Sequence, residues 1–303
     1  MVRKIVFALL AILCLPLEVW SYDEAMLQAD ASAFLSAEDL MHRDLSSSIA
    51  ALRKSQPLLS PGAAPGWSAD LSLGDIIAPA FEYRSLLSGA GPFEALVDTS
   101  DAASIEAVSA GGAIAFPGGL SLTLNASCLP TVTIAGAEKS LFRIGASGYW
   151  RVLPERFYSV GVLVGGGASY VRGTELRSVD TSFADSSAIR SFSGMLDSEW
   201  NYGILDLELF VHKTFFIVNF YSRANICLIL GSSSSSLSDI KVDGTAVPGA
   251  QAEYSSVLQA PATGLVLAGG MELIMGELKL TAEAGRDWLS ASFYGSIGLR
   301  FGM

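Results

Sequence analysis

Apolar and polar residues alternate along much of this chain. Leu120, Leu122, Leu124 and Ala126 are interleaved with Ser121, Thr123, Asn125 and Ser127. Between 142 and 152, Phe142, Ile144, Ala146, Trp150 and Val152 oppose Arg143, Ser147, Tyr149 and Arg151. Leu205, Leu207, Leu209 and Val211 oppose Asp206, Glu208 and His212, with Phe210 out of pattern. Phe216, Val218, Phe220, Ala224 and Ile226 oppose Asn219, Arg223 and Asn225. Leu278, Leu280, Ala282 and Ala284 oppose Glu277, Lys279, Thr281 and Glu283. A period of two puts such sets on opposite faces of an extended chain, so these segments predict strands with one apolar and one polar face. Followed through the chain, the pattern predicts about ten strands, near 92–98, 104–116, 118–128, 140–152, 157–172, 199–211, 214–230, 262–275, 276–287 and 290–302. Eight or twelve also fit, and Trp67 to Ile77 is a further candidate strand.

The connections sort into two kinds. Those at Phe116–Gly119, Leu153–Arg156, His212–Lys213 and around Gly276 are short, while 173–199 and 231–261 are long and rich in Ser, Asp and Gly. Both long ones fall at the same end of the strand array; only Asp287–Ser290 is short where a long one is expected. Short turns at one end and long loops at the other are the habit of membrane barrels. Upstream, Asp23 to Lys54 carries Leu27, Phe34, Met41, Leu45, Ile49 and Leu52 near a period of 3.6, which predicts an amphipathic helix. Gln56 to Gly66, with three Pro and two Gly, ends it. The helix is expected either against the periplasmic mouth of the barrel or inside its lumen as a plug.

Composition sharpens the choice. Half of the 303 residues are apolar, only 16% are charged, and the mean hydropathy is +0.43, which points to a membrane. Yet beyond the N-terminus the longest uncharged apolar-rich stretch, Phe157 to Val171, falls short of the ~20 residues a spanning helix needs. A closed barrel is the other way to satisfy every backbone group in lipid, and strands of ~9–11 residues are long enough for it. The net charge of −11 argues against nucleic acid as a partner, since phosphate binding needs clustered Lys and Arg. Arg3 and Lys4, the apolar run Ile5–Leu17 and Val19-Trp20-Ser21 before Tyr22 predict a cleaved secretory signal. A lipoprotein reading through Cys14 is weaker, because Leu13 stands where a small residue is wanted. The expected organisation is a signal peptide over 1–21, a helix and linker over 22–66, and a barrel over 67–303. Cys128 and Cys227 fall on opposite strand faces, which predicts two separate thiols.

The last strand alternates Phe293, Gly295, Ile297, Leu299 and Phe301 with Tyr294, Ser296, Gly298 and Arg300. It resembles the terminal strand that bacterial outer-membrane barrels present to their assembly machinery, although Gly302 and Met303 follow the final aromatic. The plan of signal, helix and strands, including Leu-Pro-Glu-Arg-Phe-Tyr-Ser-Val-Gly-Val at 153–162, resembles the barrels of spirochaetes and related diderm bacteria. That resemblance implies an outer-membrane location, contact with outer-membrane lipid and insertion by the barrel-assembly machinery through the C-terminal strand. It carries over no functional residue.

With the apolar phase toward lipid, the lumen is expected to collect Arg143, Arg151, Asp206, Glu208, Asn219, Arg223, Glu272, Glu277, Lys279, Glu283 and Arg300. These groups either pair and fill a narrow interior or line a polar conduit. His42 and His212 lie far apart and lack metal-ligand spacing. His212 with Asp206 and Glu208 is the one set that suggests catalysis, and a polar lumen face accounts for it equally well. Gly165-Gly166-Gly167 lacks the Lys and Ser/Thr of a phosphate loop, so no cofactor is expected. The sequence thus predicts a non-enzymatic outer-membrane barrel, a channel or transporter for small solutes, of unknown oligomeric state. The alternatives are an interaction barrel binding a partner through 173–199 and 231–261, and a soluble secreted β-sandwich.

Overall fold

The computed structural model describes residues 24–51, 57, 66–78, 103–134, 137–185, 188–247, 252–257 and 262–302. The expected signal peptide, the predicted strand at 92–98 and most of the linker lie outside them. Helix α1 spans Glu24–Ala51, followed by strands β1 (Gly66–Ala78), β2 (Ala103–Ala115), β3 (Leu120–Ile134), β4 (Ala137–Leu153), β5 (Gly161–Asp185), β6 (Ala188–Phe215), β7 (Val218–Val242), β8 (Thr245–Ala246), β9 (Ala252–Val257), β10 (Ala262–Met275), β11 (Leu278–Asp287) and β12 (Phe293–Gly302). Strands β1 to β7 and β10 to β12 each pair antiparallel with the next, β7 pairs with β10, and β1 pairs with β12 from Ser68↔Gly302 to Ile77↔Phe293. The ring is therefore closed, with ten strands; β8 and β9 pair only with the far end of β7. The first staves are β1 and β2, so the candidate strand at Trp67–Ile77 is part of the barrel.

The alternation read from the sequence sets the two faces. Leu122, Leu124, Phe142, Ile144, Leu205, Leu207, Ile226, Leu280 and Ile297 point outward and are exposed, while the residues between them are buried inside. On β7 the outward apolar face runs from Phe220 to Leu230, eleven residues. At roughly 3.3 Å per residue and a tilt of about 40° that is about 25 Å, the height of a hydrocarbon belt. Trp67, Trp150, Phe215 and Phe301 edge the belt at the short-turn end, and Tyr170, Trp288 and Phe293 edge it at the other. The chain is an antiparallel transmembrane β-barrel of the outer-membrane type, which sets aside the β-sandwich.

Two predicted loops prove to be largely strand. β5 runs on to Asp185 and β6 begins at Ala188, so 173–199 is a long hairpin, and β7 continues to Val242. Beyond the belt the polarity of the two faces inverts. Arg172, Thr174, Asp180, Asp197 and Glu199 now point outward to water, while Val179, Phe192, Leu196, Leu237, Ile240 and Val242 point inward. The Ser, Asp and Gly content that suggested loops belongs to the solvated outer face of these strands. The short turn between β6 and β7 also lies further on than expected, at Phe216–Ile217 rather than His212–Lys213.

The inward apolar face of this extension is covered by α1. Leu27, Ala31, Phe34, Leu35 and Ala37 pack against Val179, Phe192, Leu196, Leu237 and Ile240. The helix lies within the barrel at its long-hairpin end, which corrects the expectation of a periplasmic mouth and matches the plug.

Placing a guanidinium in the belt tests the lipid-facing assignment. Leu207, 69% exposed, points outward near mid-belt. Leu207→Arg is expected to lower stability in bilayers by about 2–4 kcal/mol, measured by denaturant unfolding. A neutral effect contradicts the belt.

Candidate functional site: a layered, stoppered lumen

The lumen is built in layers. Nine of the ten staves contribute an inward apolar side chain to one buried cluster: Ile76, Ala107, Leu129, Leu141, Val171, Ile204, Ile229, Val266 and Tyr294. Leu45, Ile49 and Ala50, in the last turns of α1, belong to the same cluster. The helix end therefore stoppers a ring that almost every strand helps to form.

On the short-turn side of this septum the wall is polar. Ser109, Ser127, Arg143, Ser169, Asp206 and Ser296 each stand one inward position below a ring residue on their own strand. Of the predicted lumen residues, Arg143, Asp206, Glu208, Asn219, Arg223, Glu272, Glu283 and Arg300 face inward and are buried, and Arg151 and Lys279 are half-buried toward the short turns. Glu277 instead sits exposed in the β10–β11 turn. The structure joins many of these groups across the lumen. Arg223 donates to Glu283 at 2.6 Å and to the Tyr294 hydroxyl at 2.9 Å, and lies 3.6 Å from Glu208. Arg300 reaches Glu272 at 3.2 Å, with Lys279 at 4.0 Å from the same carboxylate. Phe210, the residue out of pattern, points inward and stacks on Tyr221 with ring centroids 5.3 Å apart.

His212 is not assembled with Asp206 and Glu208. Its Nδ1 lies 3.2 Å from Glu155, in the turn between β4 and β5. Burial works to raise the Glu155 carboxyl, but the Thr214 backbone N–H at 2.7 Å and hydroxyl at 3.0 Å, then His212 and Lys213, outweigh it. The carboxyl sits below its ordinary value.

Above the septum α1 meets the wall through polar contacts. Ser47 donates to Asp287 at 2.5 Å, the Trp200 indole donates to Ser46 at 3.1 Å, and Tyr202 and Ser233 both donate to Asp39. Ser48 lies 2.6 Å from the Ser292 hydroxyl and 2.9 Å from that of Ser290. One turn further out, His42 Nε2 approaches Glu175 at 3.1 Å, Lys139 meets the same carboxylate at 2.9 Å, and Arg177 grips Glu38 at 2.5 Å. Burial alone raises the Glu175 carboxyl, yet Lys139, His42 and Arg177 together hold it well below the usual range. The His42 ring stacks on Trp200 at 3.9 Å and 8°. Trp200 lies over Gly173 on the neighbouring strand, where any Cβ would come within 2.1 Å of the indole. The periodicity reading missed this layer. Its one signal was the Glu38/His42 spacing of four, which puts both on one helix face.

No family model matches the chain, and no curated protein does. Among solved structures it is similar to the outer membrane protease OmpT from Escherichia coli (9% identity, TM-score 0.48, covering 82% of this chain and 100% of that one). It is similar also to the translocator domain of the autotransporter NalP from Neisseria meningitidis (9%, 0.35, 92% and 99%) and to Neisserial surface protein A (12%, 0.32, 79% and 98%). At these values the fold rests on the closed ring of strand pairs itself.

Two measurements probe these layers. Arg223→Met leaves Glu283 and Glu208 buried beside a lost cation, so it is expected to cost about 3–5 kcal/mol, with partial recovery in the double variant carrying Glu283→Gln. Unfolding followed by fluorescence reads both, and an unaffected single variant removes the cross-lumen pairing. For Glu155, whose carboxyl is depressed, any contribution to holding the turn is complete above about pH 4.3 and is lost as pH falls below it. The Thr214 amide resonance should therefore titrate with a midpoint below that value; a midpoint at or above it contradicts the contact.

Proposed function

We propose that this chain is an outer-membrane channel for small solutes, held shut by α1. The observation that carries the reading is the septum: a ring of apolar side chains from nine strands, closed at its centre by Leu45, Ile49 and Ala50 of a helix. A helix with its side chains is about 10 Å across, so the outer part of the lumen, which admits one, is wide enough for a small solute once the helix moves. Above the septum the helix is held by the apolar packing of Leu27, Phe34 and Leu35 and by hydroxyl, carboxylate and guanidinium contacts, the latter replaceable by water as it withdraws. Below the septum, Arg143, Arg151, Arg223, Lys279 and Arg300 face Asp70, Asp206, Glu208, Glu272 and Glu283. Such balanced charge favours small polar solutes with little choice between cations and anions. On this reading the chain reaches its membrane as an exported protein, β12 serves the assembly machinery, and the likeness to spirochaete barrels remains part of the proposal.

A second reading has its own support. Strands β5 to β7 stand well beyond the belt, and a protein working through that outer surface needs no open lumen.

Conductance in planar bilayers separates the two. Replacing Ser48 and Ser292, whose hydroxyls are 2.6 Å apart, by a cysteine pair in a background without Cys128 and Cys227 should lock the helix to the wall. Expected are openings from the parent protein that vanish in the oxidised variant and return on reduction. A folded barrel silent in every state, even with α1 deleted, removes the channel reading and leaves the outer surface.

A further inference from the structure

We infer that Glu38, His42 and Glu175 form a binding site for a divalent first-row transition ion, which clips α1 to the barrel wall. Glu38 and His42 stand one helical turn apart on the face of α1 that meets β5, and Glu175 comes from β5 itself. One nitrogen or oxygen from each can be chosen so that all lie within 4.8 Å of one another. The separation around a tetrahedral ion is about 3.3 Å, given bonds near 2.0–2.1 Å, so small side-chain rotations close the difference.

The site is also under-satisfied in a way that points to a ligand. Glu38, His42 and Glu175 are each more than nine-tenths buried. Even so, Glu38 Oε2, His42 Nδ1 and Glu175 Oε1 have no hydrogen-bond partner. Of the three, Glu175 Oε1 has only a 3.7 Å ion pair to Arg177 Nε; buried polar atoms are nearly always hydrogen-bonded, and three such gaps in one cluster of metal-ligating groups are uncommon. Imidazole with two carboxylates is a donor set for zinc and its neighbours rather than for calcium or magnesium. A layer built on a helix and a strand also holds its ligands more firmly than a loop does.

Lys139 and Arg177 now neutralise the two carboxylates, and they are the ion's competitors. Both are partly exposed, at 14% and 17% of the side chain, so each can turn to water as the ion enters. The charge then balances without them: two carboxylates against one dication, with His42 neutral. This competition distinguishes a metal site from a plain ion-pair network, because removing Lys139 should strengthen metal binding while removing Glu38 or His42 should weaken it.

The test is calorimetric titration of zinc into the metal-stripped protein, folded in detergent and shown to be folded by its heat-dependent gel mobility. Expected is one equivalent bound, weakened about tenfold or more by Glu38→Gln and by His42→Asn, since even outer-sphere partners are worth that much, and tightened by Lys139→Gln. Cobalt or nickel should quench Trp200, which stacks on His42, and the quenching should disappear in Trp200→Phe. Folded protein that binds no equivalent of zinc overturns the site. So does binding that the Glu38 and His42 variants leave unchanged. The outcome does not depend on whether the barrel conducts, because binding is read directly.

Discussion

The pairing of β1 with β12 is the constraint on which everything else depends. In hydrocarbon an unpaired backbone N–H or C=O costs several kcal/mol, and an open sheet would expose a whole strand edge of them. Ten antiparallel pairings joined into a ring remove both edges at once. Closure in turn creates an inside, and period-two alternation decides what goes there. Each strand that sends Leu, Ile or Phe outward sends Ser, Asn, Arg or Glu inward, so a lipid-soluble exterior implies a polar lumen. The ion pairs among Arg223, Glu283, Glu208, Arg300 and Glu272 answer that implication, because charges held away from bulk water need partners.

The same rule explains why the molecule changes character along its axis. Where the outer medium turns from lipid to water, outward positions become Arg, Thr, Asp and Glu, and inward positions become Val, Leu, Ile and Phe. An apolar inner face needs a cover. Helix α1 supplies it, with Leu27, Phe34 and Leu35 against the extension and Ile49 at the septum. The helix and the inverted strands thus require each other: without α1 the extension would surround water with apolar walls, and without the extension α1 would have nowhere to bury its stripe.

This pattern marks what was legible in the sequence. The strands inside the belt could be read residue by residue, because one uniform solvent surrounds them and alternation is unbroken from Leu205 to Leu209 or Leu120 to Ala126. The lumen residues followed from the same phase, and of the eleven candidates from Arg143 to Arg300 all but Glu277, which falls in the β10–β11 turn, turn inward. The outer halves of β5, β6 and β7 were not legible. Their polar residues resemble a loop unless one knows that another element covers the opposite face. The position of α1 was hidden for a related reason. Asp39, His42, Ser46, Ser47 and Ser48 read as a solvated helix face, and only the wall groups Tyr202, Glu175, Trp200, Asp287 and Ser292, far away in sequence, turn that face inward. Phe210 is the small-scale case: it breaks the pattern because Tyr221 receives it.

What these polar seams imply is a matter of magnitude. The apolar hold comes from Leu45 and Ile49 at the septum and from Leu27, Phe34 and Leu35 further out, each on the usual scale of about 1.5–3 kcal/mol per large side chain. Hydrogen bonds between helix and wall add about 0.5–1.5 kcal/mol each, because water competes for the same groups. Displacing the helix therefore means giving up both its apolar packing and its polar contacts with the wall. The balance is set around His42, Glu38 and Glu175, where buried ionisable groups of helix and wall meet, since a gain or loss of charge there acts on both together. Control of the helix therefore belongs at this outer layer, whose contacts join α1 to the wall, whereas the charged pairs below the septum join wall to wall.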